Sequence, residues 1–144
     1  MAKIIAVCKS DKKGCKKQAS EEGTLKKDYG LVGDAHADFG SHRQLSLLAM
    51  ESIQKICDLG ADVYPGDFAE NLTTEGIELH TMPIGTRFSI GDDVVLELTQ
   101  IGKECHDRCA IFKQVGTCVM PVEGIFTKVI SGGVVKVGDK IKKI

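Results

Sequence analysis

The chain has 144 residues and a mass of 15.5 kDa, with 19 Lys and Arg against 20 Asp and Glu and a formal net charge of −1. That length is one domain, residues 1–144, and long enough to bury most of the apolar surface of its unfolded form, so its six cysteines are not needed as staples. The near-neutral balance excludes a nucleic-acid binder working by bulk electrostatics, and no apolar run approaches the ~20 residues that span a bilayer.

Lys3–Lys9 alternates as a first strand, with Ile4, Ala6 and Cys8 on one face and Ile5 and Val7 on the other. It lacks the h-region and cleavage pattern of a signal peptide, so a cytoplasmic location with reduced thiols is expected. The basic run 9–17 reads as a solvated loop, and residues 17–25 allow a short paired strand. Residues 28–41 hold Gly30, Gly33 and Gly40 beside Tyr29 and Phe39, without periodicity. They must form a shaped loop, the kind of segment where binding residues concentrate. Residues 42–50 read as a strand running into a helix over 47–59, whose apolar positions 49, 50, 53, 56, 57 and 59 make one stripe, closed by Gly60. Cys57 on that stripe reads as core.

After a turn-rich loop over 64–72, short strands are expected at 71–74 and at Arg87–Ile90, with Gly91-Asp92-Asp93 leading into a strand from Val94. A short helix is expected around 110–115. Ile125–Ser131 and 134–137 are strands joined by Gly132-Gly133, a hairpin signal, and 141–144 is the last strand. About seven to nine short strands and one clear helix predict a mainly β fold, a closed or partly open β-barrel with one or two short helices at its rim. No internal repeat interrupts it.

The stretch richest in chemistry is 94–109. Val94, Leu96 and Leu98 alternate with Val95, Glu97 and Thr99, and the chain then breaks at Gly102 into Lys103, Glu104, Cys105, His106, Asp107, Arg108 and Cys109. Gly102 is a place for a bulge that re-aims the side chains beyond it. A thiol at a strand end beside Lys103 and a protonated His106 is drawn toward thiolate, the form that attacks sulfur and ligates metal; Glu104 and Asp107 pull the other way. The cysteines at 8, 15, 57, 105, 109 and 118 form no CxxC pair, which argues against structural zinc. A zinc site from Cys105, His106, Cys109 and Cys118 remains the chemical competitor. Cys109 either resolves a persulfide on Cys105 or packs at the base of a helix, Cys118 reads as core or lining, and Cys15 is flanked by lysines.

Several ordered stretches together resemble the MOSC domain, named for the C-terminal domain of molybdenum cofactor sulfurase. They are Gly33-Asp34-Ala35-His36, Arg43-Gln44, residues 66–77, Ile90-Gly91, residues 96–100 leading to Cys105, Val119-Met120-Pro121, residues 123–126 and Gly138-Asp139. The resemblance implies a compact barrel, similar to that of pyruvate kinase, and a site for the molybdenum cofactor. It implies that Cys105 either carries transferable sulfur or ligates molybdenum. Any pyridoxal phosphate would belong to a partner, because the chain has no room for the domain that holds it in fused relatives.

Beside that resemblance, Arg43 offers a planar fork suited to the cofactor's phosphate, its alternative being a surface arginine. Lys103 is a phosphate or oxyanion partner or a solvated lysine. Asn71 and Gln100 each offer a donor and an acceptor for a pterin edge, or else satisfy backbone groups. His36 is a ligand donor or a turn partner of Asp34. His42 and His80 read as surface residues, and Asp67 as a turn or cap residue. The leading expectation is that Cys105 accepts a persulfide from a cysteine desulfurase or other sulfur donor and passes it to a bound molybdenum centre. A non-catalytic cofactor carrier or chaperone is the second expectation. A molybdenum-dependent reductase of N-hydroxylated compounds, with an external electron donor, is the third. Molybdenum-cofactor enzymes or biosynthesis proteins are the expected partners, with neither nucleic acid nor membrane involved.

Overall fold

A computed structural model describes residues 2–10, 17–35, 37–60, 62–68, 70–102 and 123–144. In chain order they form β1 (Lys3–Lys9), β2 (Gln18–Ser20), β3 (Glu22–Lys26), β4 (Gly30–Leu31), β5 (Leu45–Ala49), α1 (Met50–Asp58), β6 (Leu72–Glu75), a 3-10 turn (Leu79–Thr81), β7 (Arg87–Ile90), β8 (Val94–Ile101), β9 (Ile125–Ser131), β10 (Gly133–Lys136) and β11 (Ile141–Lys143). Eight strands make one sheet in the order β11-β7-β8-β9-β5-β6-β1-β2, antiparallel except where β5 lies beside β6, and β10-β3-β4 make a second. The large sheet curls until β1 meets β11. Lys3 bridges Lys140, Ile4 N–H donates to Asp139 O at 2.8 Å, and Gly138 N–H donates to Ile4 O at 2.8 Å. The seam is short, so the mainly β fold is a partly open barrel, as the glycine-punctuated strands predict.

The barrel interior is filled by Ile4, Val7, Leu45, Leu47, Leu72, Phe88, Leu96, Leu98, Ile125 and Val129 among others, each at most 1 % exposed. Each such side chain contributes about 1.5–3 kcal/mol by leaving water. A second cluster of Leu48, Ile53, Ile56, Val63 and Phe68 lies under α1. Cys57 is half-buried at its margin, with Sγ 3.4 Å from the Val63 carbonyl. Gly60, at φ 102°, ends the helix and donates to the Cys57 carbonyl at 3.0 Å, the C-cap expected of it.

Three expectations change. The helix starts at Met50 rather than at 47, because 45–49 is a strand between β9 and β6 with every residue buried. An apolar run buried on both faces carries no alternation to separate it from a helix. In β1 the pairing with β6 slips between Ile4 and Ala6, so Ile5 is an extra residue and parity reverses. Val7 therefore joins Ile4 in the barrel core, and Cys8 does not join that cluster. Finally, β9 and β10 form no hairpin. β9 pairs with β8 and β5, whereas β10 pairs with β3 in the other sheet. Gly132 makes that corner, where a Cβ would lie 2.4 Å from the Leu25 carbonyl oxygen, so only a residue without a side chain fits.

Candidate functional site: an anion fork at the end of β8

Strand β8 alternates buried and half-buried residues from Val94 to Leu98, then loses the pattern. Its pairing with β9 slips between Leu98 and Gln100, which makes Thr99 an extra residue. The bulge sits three residues ahead of the Gly102 position suggested by the sequence. Gly102 itself takes a φ of 82°, and its N–H donates to Gly124 O at 2.6 Å. Strict alternation would have turned Gln100 into the barrel with Leu96 and Leu98. The extra residue turns it outward instead, opposite Phe126.

On that outer face Gln100 meets the residues that lead into β5. Arg43 Nε donates to Gln100 Oε1 at 3.0 Å, and His42 Nε2 lies 3.0 Å from the same oxygen. Gln100 Nε2 donates to Gly102 O at 2.9 Å. The guanidinium carbon of Arg43 stands 5.9 Å from the centre of the buried Phe126 ring, a cation–π contact that orients it from beneath. Thr99 Oγ1 contacts the carbonyl oxygens of His42 and Phe126, tying the bulge to the incoming loop. Among the described residues no acceptor meets either terminal nitrogen of Arg43, which is exposed. The arrangement is a guanidinium tethered through Nε, with two terminal nitrogens of the kind that binds an oxyanion at two points.

Asn71 is placed elsewhere. It is fully buried. Its Oδ1 accepts from Ser46 N at 3.0 Å and Ser46 Oγ at 3.2 Å, and its Nδ2 donates to Cys8 O at 3.1 Å. These bonds join β5, β6 and β1, so Asn71 acts on backbone groups inside the wall. Beside it, Glu70 accepts from Gly66 N at 3.0 Å and Thr73 Oγ1 at 2.8 Å, and burial raises its pKa above the ordinary carboxyl value. Burial, with help from the Glu70 charge, pushes the Cys8 thiol up to about 12, so Cys8 is inert. Lys17 Nζ and Asp34 Oδ1 pair at 2.6 Å with both side chains out of water. Asp67 accepts from Tyr64 N at 2.9 Å, the turn role expected for it.

The structure thus brings Arg43 and Gln100 together and leaves Asn71 apart. Cys105, Lys103 and His36 lie outside the described residues, as do Cys15, Cys109, Cys118 and the helix expected at 110–115. His42, read from the sequence as a surface residue, is exposed but belongs to the fork. Its position next to Arg43 was the only signal, and adjacent residues of an extended chain, which face opposite ways, gave no reason to join the two. Glu123, at the other end of the 103–122 segment, is held by Ser52 Oγ at 2.7 Å and Lys55 Nζ at 2.9 Å. Burial pulls its pKa upward, but those two donors outweigh it and hold the carboxyl below its usual value. It borders an open cleft of about 510 Å³ between α1 and residues 76–80. Among the described residues no three His, Cys, Asp or Glu side chains are grouped to hold a metal, and no helix is long and apolar enough to cross a membrane.

A family model described as the MOSC domain matches residues 34–142. No curated protein matches the chain in sequence. Among solved structures, the YuaD protein from Bacillus subtilis superposes with a TM-score of 0.79 at 18 % identity, over 98 % of this chain and 94 % of that one. YiiM from Geobacillus stearothermophilus gives 0.71 at 15 % identity, over 100 % and 75 %. YiiM from Escherichia coli gives 0.65 at 18 %, over 99 % and 69 %. At these identities the likeness is one of fold.

Proposed function

Because the chain belongs to the MOSC domain family, one associated with the molybdenum cofactor, we propose that it binds a molybdenum–pterin cofactor and carries sulfur on Cys105. The observation that supports this reading most is the Arg43 fork, hydrogen-bonded to Gln100 two residues before the chain leaves Gly102. Three peptide units separate residue 105 from Gly102, so chain length alone limits their Cα separation to about 11 Å.

Arg43 suits the phosphate end of such a cofactor: its Nε is occupied by Gln100, its ring partner Phe126 is buried, and its two remaining nitrogens meet no acceptor among the described residues. Gln100 keeps one amide hydrogen for a ligand, while its oxygen is taken. Lys103 and His36 complete the proposed ligand set, and Asn71 is left to the wall. When bound, the molybdenum centre would supply a metal that a soft thiolate or persulfide can ligate. The step assigned to this chain needs no added oxidant. Cys105 Sγ, as thiolate, attacks the terminal sulfur of a donor persulfide; the donor S–S bond breaks, a new S–S bond forms on Cys105, and the donor leaves as a thiolate.

Incubation with a cysteine desulfurase and free cysteine tests the reading. An adduct of about 32 Da should form on the native protein and vanish in Cys105→Ala, while Cys8→Ala retains it. An adduct that survives Cys105→Ala ends the assignment. Molybdenum and pterin co-purifying with a protein that never gains the adduct would favour the carrier over the sulfur carrier.

A further inference from the structure

The fork contains a residue whose role its stoichiometry dictates. Arg43 Nε carries one hydrogen and has two neighbours within reach, Gln100 Oε1 at 3.0 Å and His42 Nε2 at 3.3 Å. The amide oxygen is nearer, and it is the only one of the two that is purely an acceptor. His42 Nε2 also lies 3.0 Å from that oxygen, so the imidazole must be in the form that carries hydrogen on Nε2. Gln100 Oε1 has two lone pairs and both are filled. Its amide cannot flip, because a flip would set its NH2 against the Arg43 N–H and its oxygen against the Gly102 carbonyl now held at 2.9 Å.

We infer that His42 is a positioning residue: its Nε2–H fills the second lone pair of Gln100 Oε1 and so keeps Arg43 tethered through Nε, which leaves the two terminal nitrogens for an anion. This rests on the proposed anion site for its consequence, though not for its geometry. His42 is exposed, so the contribution argued for it is the hydrogen it donates. The Thr99 contact with its carbonyl holds the backbone of residue 42 at the bulge, which keeps the ring within reach of the amide.

The geometry also sets which substitutions can replace it. A glutamine amide nitrogen lies three bonds from Cβ, as Nε2 does; an asparagine nitrogen lies two bonds away, as Nδ1 does. The test uses the full chain labelled with nitrogen-15, the Arg43 Nε–H signal identified by its loss in Arg43→Lys. His42→Ala should speed hydrogen exchange at Arg43 Nε about fivefold and weaken inorganic phosphate binding by a similar factor, the effect of one lost neutral hydrogen bond. His42→Gln should restore both and His42→Asn neither. Unchanged exchange in His42→Ala, or equal rescue by Asn and Gln, would overturn the inference. Exchange that follows the expected pattern in a protein that binds no phosphate supports the positioning role and instead defeats the anion-site reading.

Discussion

Two polar clusters lie on either side of the β5 strand, and the chemistry they hold is similar. In the wall, Asn71, Ser46, Glu70, Thr73, Lys17 and Asp34 are all buried, and the hydrogen bonds of Asn71 run to Ser46 and Cys8. At the end of β8, Gln100, His42 and Arg43 share one amide oxygen, and the Arg43 terminal nitrogens meet no acceptor among the described residues. A carboxamide stands at the centre of both. The difference is whether the surrounding donors and acceptors close on one another. A buried group left unmatched costs ~1–3 kcal/mol, so a buried cluster closes; an exposed cluster is free to keep donors for a ligand.

The largest effect expected from breaking this contrast is at the buried ion pair. Asp34→Ala removes the carboxylate 2.6 Å from Lys17 Nζ, breaks an ion pair whose side chains are both out of water, and should cost about 3–5 kcal/mol in urea unfolding. The solvent-facing counterpart, Glu97→Ala, removes a half-buried carboxylate whose partners Arg87 at 3.2 Å and Lys128 at 3.8 Å reach into water, and should cost less than ~1 kcal/mol. Equal losses would show that burial does not separate the two classes.

Asn71→Leu comes next. It removes the acceptor of one Ser46 N–H bond and the donor to Cys8 C=O inside the wall and should lose about 2–3 kcal/mol. Gln100→Leu should stay within ~0.5 kcal/mol of the native protein while loosening Arg43. A large stability loss in the Gln100 variant would place that amide among the structural ones.

A smaller effect, legible only through pH, belongs to Glu70. Its carboxyl has a folded pKa above the ordinary 4.5, so the native state holds a proton that the unfolded chain releases. The stability it contributes is therefore full below pH 4.5 and is lost as pH rises through the raised value. Glu70→Gln should flatten that decline, read from urea midpoints taken at successive pH values. A slope unchanged by the substitution would assign the pH dependence to another group.

Much of the fold was readable from residues alone because its determinants are local. The alternation in β8, the short β7 and the glycine-capped helix each follow from spacing over a few residues. The boundary of α1 was misread because Leu47 and Leu48 sit in a strand covered on both faces, where periodicity disappears. The hairpin at Gly132-Gly133 was misread because a turn signal states that the chain bends and not which strand it then joins.

Within the candidate site, Arg43 and Gln100 could be named from residue type and family likeness, while His42 and the exclusion of Asn71 could not. Gln100 faces Arg43 only because one extra residue at Thr99 reverses the parity of the strand, and a bulge is a matter of pairing between β8 and β9. Composition and short-range pattern determined a mainly β domain with reactive groups near residue 100. Which of those groups saturate one another and which remain open to a ligand was decided by the sheet, because hydrogen-bond partners 25 to 63 residues apart are brought together only when the barrel curls.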